Sequence, residues 1–142
     1  MIDHIGMPVG DIARATAFYL KALSPLGYGI VMEVGAEETG HGAAIGFGAP
    51  GKADDFQSGK PSFWIGEGGR LGAPIHVAFA ASSREAVDAF YRAGLAAGGK
   101  DNGRPGLRPH YHANYYAAFV LDPDGNNIEA VCHADSAQAA QR

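Results

Sequence analysis

Apolar side chains recur at helical spacing in two stretches of the chain and alternate in several others. Ile12, Ala15, Phe18, Tyr19, Ala22, Leu23 and Leu26 fall on one helical face and leave Arg14 and Lys21 on the other. Gly10-Asp11 opens this helix with Asp11 as N-cap, and Gly27 ends it. Ala86, Val87, Ala89, Phe90, Ala93 and Leu95 form a second such stripe, with Ser82 and Glu85 as a capping box and Gly98-Gly99 as the stop. Residues 2–9, 28–34, 42–48, 61–66, 74–79, 115–121 and 127–133 read as short strands, separated by turns rich in Gly, Pro and Asp. Asp122-Pro123-Asp124-Gly125-Asn126 between the last two is a hairpin signal. Residues 102–109 read as a Gly/Pro-rich connection, and a poorly marked strand is expected within 100–105.

These elements come twice in the same order. His4 and His76 stand 72 positions apart, and thirteen residues after each comes the same tripeptide, Ala17-Phe18-Tyr19 and Ala89-Phe90-Tyr91. The prediction is one α+β domain over 1–133, with unit one at 1–70 and unit two at 71–133, followed by a flexible tail at 134–142. Approximate symmetry between the units would bring the two imidazoles together.

Composition narrows the function classes. A net charge of −4 with scattered basic residues offers no footprint for nucleic acid, and none is expected as a partner. Cys132 is the sole cysteine, which excludes an internal disulfide, and its apolar strand context predicts a buried thiol without chemistry. The start Met1-Ile2-Asp3-His4 has neither basic leader nor apolar core, and no apolar run approaches the ~20 residues that span a bilayer. A cytoplasmic protein with no membrane partner is expected.

The paired strand-helix-strand-strand-strand units, the histidine in the first strand of each, and Asp122-Pro123-Asp124-Gly125-Asn126-Asn127-Ile128-Glu129 together resemble the vicinal oxygen chelate superfamily. That family includes glyoxalase I, the bleomycin-resistance proteins, the extradiol dioxygenases and the thiol transferases that inactivate fosfomycin. The resemblance covers nearly the whole chain. It implies two βαβββ units in an open, mostly antiparallel, eight-stranded barrel-like sheet with the helices outside, around one divalent metal held by His4, His76 and Glu129. Two imidazoles and one carboxylate suit Fe(II), Mn(II), Ni(II) or Zn(II) and leave positions open for substrate. With one anionic ligand such a centre keeps a net charge of about +1, which favours a small substrate with two adjacent oxygens. Period-2 alternation places Glu129 and Val131 on one strand face, and a carboxylate on an interior face needs a cationic partner.

Glyoxalase I has a second carboxylate ligand in the last strand of its first unit. The matching stretch here, Ser62-Phe63-Trp64-Ile65-Gly66, has no acid, and Glu67 shares the face of Trp64 only if Gly66 forms a bulge. Strict glyoxalase I activity is therefore not expected. The resemblance implies lyase or isomerase chemistry on a vicinal-oxygen substrate, with an Fe(II) extradiol-type dioxygenase or a thiol transferase as alternatives. From a different class, a metal-free binder of aromatic ligands would use Trp64, Tyr111, Tyr115 and Tyr116 for stacking.

Trp64 is the expected cavity-lining residue of its strand. Residues 108–116, with Arg108 and His112, form an aromatic loop suited to covering the site and meeting a substrate oxyanion. Phe119 should lie opposite Glu129, with Tyr115 on the same face and Tyr116 turned away; a one-residue shift would exchange the tyrosines, so either is a candidate to assist Glu129 in catalysis. His110-x-His112 with Glu129 is a rival metal constellation, while His41 and His133 read as surface residues. Open sheet edges of this sort point to a homodimer.

Overall fold

In the computed structural model, which describes residues 2–49 and 59–135, each half of the chain builds one four-stranded sheet. The first half runs β1 (Ile5–Pro8), α1 (Ile12–Leu23), β2 (Gly29–Val34), a single-turn helix α2 (Ala36–Thr39), β3 (Ala44–Gly48) and β4 (Phe63–Gly66). The second runs β5 (His76–Ala80), α3 (Arg84–Ala96), β6 (Lys100–Leu107), β7 (Tyr116–Leu121) and β8 (Asn127–Cys132). The strand orders are β1-β4-β3-β2 and β5-β8-β7-β6. The pairs β1/β4 and β5/β8 are parallel and the others antiparallel. The expected α+β fold of two βαβββ units is thus present, with its eight strands bonded as two open sheets.

Local chemistry accounts for the element ends. Asp11 is extended and its carboxylate accepts from Arg14 N at 3.0 Å, which satisfies one free amide at the start of α1. For α3 the cap is Ser83, whose hydroxyl accepts from Ala86 N at 3.1 Å, and not the expected Ser82. The hydroxyl must come from the residue just ahead of the first helical turn to reach the amide three positions on. The buried stripe of α3 is Val87, Phe90 and Gly94. Gly94 joins it because a Cβ there would lie 3.3 Å from the Val120 methyls.

The expected connection at 102–109 is mostly strand. β6 continues through Gly103-Arg104-Pro105-Gly106 to Leu107 as the edge of its sheet, with register shifts at Asp101/Gly103 and Gly103/Gly106. An edge position tolerates Pro105, which has no N–H to give, and the irregular register explains the missing alternation. Gly103 has φ 151°, and a Cβ on it would meet the Phe119 ring at 2.8 Å. Of the expected tail, residues 136–142 lie outside the described residues.

The two halves share one core. Phe18 and Phe90 of the repeated tripeptides are both fully buried, α1 packs on α3, and the Phe63 ring meets Phe79 edge-on at 5.3 Å and Tyr19 at 4.9 Å. Each such side chain contributes roughly 1.5–3 kcal/mol by leaving water. Buried Tyr19 donates to buried Asp122 of the β7–β8 turn. Asp122 also accepts from Asp124 N at 2.9 Å, Asn126 N at 2.8 Å and Asn126 Nδ2 at 3.0 Å. Gly10 N donates to Asp124 at 3.2 Å, so the turn of the second half is tied to the helix start of the first. Along β5, Val77 and Phe79 go into the core while His76, Ala78 and Ala80 face outward.

Candidate functional site

The outward face of the second sheet carries a buried carboxylate. Glu129 is only 2% exposed. Ala78 pairs with Glu129 in the parallel β5/β8 register, which places the carboxylate on the same face as His76, two residues before Ala78. His76 Nε2 lies 3.0 Å from Glu129 Oε2. The other imidazole nitrogen, Nδ1, is 3.0 Å from the carbonyl oxygen of Asn127. A carbonyl only accepts, so Nδ1 carries the proton and Nε2 presents either a lone pair or a second proton to the carboxylate. A lone pair facing a carboxylate needs a cation or a shared proton between them; the alternative is an imidazolium ion.

The second carboxylate oxygen is also engaged. Tyr115 donates its hydroxyl to Glu129 Oε1 at 2.5 Å. Burial, and then this bond to Glu129, push the phenol up to about 12, while the Arg108 charge works against the rise. Tyr115 is therefore a neutral hydrogen-bond donor at physiological pH. Tyr116 occupies the opposite face, where it donates to Asp88 of α3 at 2.8 Å beneath the Arg84 guanidinium. Phe119 pairs with Glu129 across the hairpin, and this register separates the two tyrosines.

Around this centre lies an aromatic and cationic rim. The Phe119 ring is 6.3 Å from the His76 ring, and the Arg108 guanidinium carbon sits 5.5 Å above it. Arg108 Nη1 and Nη2 donate to the carbonyls of Gly106 at 2.8 Å and Arg104 at 2.7 Å. The segment between β6 and β7 is folded by turns, with Tyr111 N on Arg108 O at 2.9 Å and Tyr115 N on His112 O at 3.1 Å. These turns bring His112 Nε2 to 2.6 Å from His133 Nδ1 with the rings stacked. Asn114 N donates to His112 Nδ1 at 3.2 Å. In the neutral pair this leaves the His112 proton on Nε2, donated to His133. Both rings meet Tyr115 edge-on, at 5.4 and 5.3 Å, and the Tyr111 ring is tilted against it at 4.9 Å. His110 lies against Tyr111, ring centroids 4.2 Å apart and tilted by 46°, and is not brought to Glu129.

His4 and Trp64 belong to the other sheet. His4 lies one residue ahead of β1, is exposed, and its Nδ1 donates to Asp3 at 2.6 Å. That bond holds the Asp3 carboxyl below its usual range. Gly6 pairs with Trp64 just as Ala78 pairs with Glu129. Each pairing lies two residues beyond its histidine, so Trp64 holds the position in the first half that Glu129 holds in the second. The indole lies across Gly46, where a Cβ would be 3.0 Å from Trp64 Cζ2 and Cη2. Trp64, Glu67 and Arg70 line a groove of about 450 Å³ on this sheet. Glu67 follows β4 and accepts from Ala43 N at 3.4 Å.

The described residues of one chain thus bring His76, Glu129 and Tyr115 together, with Phe119, Arg108 and His112 around them. His4 and Trp64 lie on a separate surface, and no group of three possible metal ligands forms among the described residues. Two partners escape sequence reasoning. The Asn127 carbonyl that orients His76 is a backbone group set by parallel register, and the contact of His133 with His112 depends on loop turns without periodicity. Alternation does place His133 on the Glu129 face, the one available signal.

Comparison with known proteins agrees with this fold. The family model described as Glyoxalase/Bleomycin resistance protein/Dioxygenase superfamily matches residues 1–130. A glyoxalase/bleomycin resistance protein from Albidiferax ferrireducens T118 is 27% identical with a TM-score of 0.66, over 93% of this chain and 98% of that one. A glyoxalase I variant from Zea mays is 21% identical with a TM-score of 0.68, over 92% of this chain but 46% of its own, so this chain spans about half of it. A glyoxalase/bleomycin resistance protein/dioxygenase family enzyme from Burkholderia phytofirmans PsJN is 18% identical with a TM-score of 0.62, over 94% and 98%. No curated protein matches.

Proposed function

The chain belongs to the Glyoxalase/Bleomycin resistance protein/Dioxygenase superfamily, and from that premise we propose that it is a divalent-metal-dependent enzyme acting on a small substrate with vicinal oxygens, by lyase or isomerase chemistry. The observation that carries the reading is the pairing of His76 Nε2 with the buried Glu129 carboxylate while His76 Nδ1 is committed to a backbone carbonyl. A histidine that donates one N–H to a carbonyl and offers the other nitrogen beside a carboxylate has the arrangement of a metal-binding imidazole. Two donors each ~2.1 Å from one ion and at a right angle are about 3.0 Å apart, which fits the observed separation.

One chain supplies these two donors, and the reading takes the third, His4, from a second copy in a homodimer. His4 has the complementary preparation, with Nδ1 held by Asp3 and Nε2 left for another partner. In such a dimer the Trp64 groove of one copy would cover the His76–Glu129 face of the other.

A bound divalent cation supplies Lewis acidity toward two adjacent substrate oxygens. The chain's own groups do the rest. In this reading Glu129 takes the substrate proton, and Tyr115, protonated at neutral pH, keeps that carboxylate oriented through Oε1. Trp64 at the position equivalent to Glu129 leaves the first half without a second acid there, which argues against strict glyoxalase I chemistry and keeps the dioxygenase and thiol-transferase branches as alternatives. The reading includes a cytoplasmic location; among the described residues no helix is long and apolar enough to cross a membrane.

The test is complementation between copies. His4→Ala and His76→Ala chains are purified separately, and each is expected to hold no stoichiometric metal. Mixing them under exchange should regenerate about one complete site per mixed dimer. Failure of the mixture to bind metal while the wild type does would reject the shared site. The aromatic cluster of Tyr111, Tyr115, His112 and His133 favours a second reading, a metal-free binder of aromatic ligands; ligand binding unaffected by chelator would select it.

A further inference from the structure

Arg108 carries a charge that the described structure does not neutralise. Its guanidinium is fixed by two backbone carbonyls, which use two of its five N–H donors. Its guanidinium carbon lies over the Phe119 ring, and no carboxylate among the described residues reaches ion-pair distance of it. A guanidinium held in this way has already lost the side-chain freedom that anion binding would otherwise take from it. Phe119 is also the ring beside His76, so one aromatic surface joins the cation to the His76–Glu129 centre.

We infer that Arg108 and Phe119 form a carboxylate subsite beside the metal-binding pair, so that the substrate carries a distal carboxylate in addition to its vicinal oxygens. This inference rests on the proposed function for the position of the vicinal oxygens, and not for the anion site itself. Arg108 presents its remaining N–H groups to the distal carboxylate, and Phe119 lies under the carbon segment that separates the two ends. The substrate class is therefore a short hydroxy or keto dicarboxylic acid rather than a neutral diol or an unsubstituted catechol.

The test compares two probes of equal carbon-chain length, 2-hydroxyglutarate and 2-hydroxypentanoate, which differ by a distal carboxylate in place of a methyl group. Calorimetric titration is run on the purified full chain, metal-free and loaded with Zn(II). The wild type should bind 2-hydroxyglutarate about tenfold more tightly than 2-hydroxypentanoate. Arg108→Gln should reduce that preference to within about twofold while leaving 2-hydroxypentanoate unchanged. Because Arg108 also holds two carbonyls, the salt dependence of the wild type supplies an independent reading: the preference should shrink as ionic strength rises. A wild type without preference, a preference that survives in Arg108→Gln, or one indifferent to salt would overturn the inference. Zn(II) should tighten both probes in the wild type and neither in His76→Ala. In the wild type, a preference for 2-hydroxyglutarate with no effect of Zn(II) supports the anion site and rejects the metal reading, and tightening by Zn(II) with no preference does the opposite.

Discussion

Replacing Tyr115 with Phe removes a single hydroxyl, the one donating to Glu129 Oε1 at 2.5 Å. A hydrogen bond to a charged acceptor contributes about 1.5–3 kcal/mol, and since Tyr115 is only partly buried the lower end applies, ~1.5 kcal/mol. For a chain of this length that is a fall in melting temperature of about 5 °C at pH 8. The pH dependence follows from the phenol, raised from 10.0 to about 12 by burial and by Glu129. A group whose folded pKa is raised contributes fully below its unfolded value and loses that contribution as pH climbs through the folded one. The gap between wild type and Tyr115→Phe should therefore stay constant to about pH 10 and close by about pH 12. The assay is thermal unfolding of metal-free protein by circular dichroism from pH 8 to 12. In a Glu129→Gln background the pH 8 gap should roughly halve, because the acceptor is no longer charged. An equal gap at pH 8 and pH 11.5, or none at pH 8, would refute the reasoning.

Tyr19→Phe should destabilise the chain by about 2 kcal/mol in urea unfolding, since it withdraws one of four donors from buried Asp122; a loss below about 0.5 kcal/mol would contradict the tie between the halves. Gly46→Val should displace the indole of Trp64, because a Cβ there meets Trp64 at 3.0 Å and Pro61 at 2.6 Å. Trp64 is the only tryptophan, so a shift in intrinsic fluorescence reads this directly, and an unchanged spectrum would show that the groove gives elsewhere.

What the chain reveals before folding is mostly local. Asp11 caps α1 because its carboxylate is placed ahead of a continuous apolar stripe, and the pairing of Phe119 with Glu129 follows from counting back across the Asp-Gly turn. That count also separates Tyr115 from Tyr116. The edge strand β6 hides because Gly103, Pro105 and Gly106 erase alternation and edge positions do not demand it. Ser83 rather than Ser82 caps α3 by a one-residue difference that two adjacent hydroxyls do not settle. The duplicated histidines disclose two equivalent strand positions, but how the halves sit on one another is decided by α1 against α3 and by Phe63 against Phe79. No local period encodes those contacts, and they leave His4 on one surface and His76 with Glu129 on another.

The proposed pairing of His76 with Glu129 across a shared cation is most directly tested by titrating metal-free wild type and His76→Ala with Co(II) and following visible absorption. The wild type should take up one Co(II) per chain with a sharp endpoint, and His76→Ala should show none. Stoichiometric uptake by His76→Ala with the wild-type spectrum would contradict the assignment.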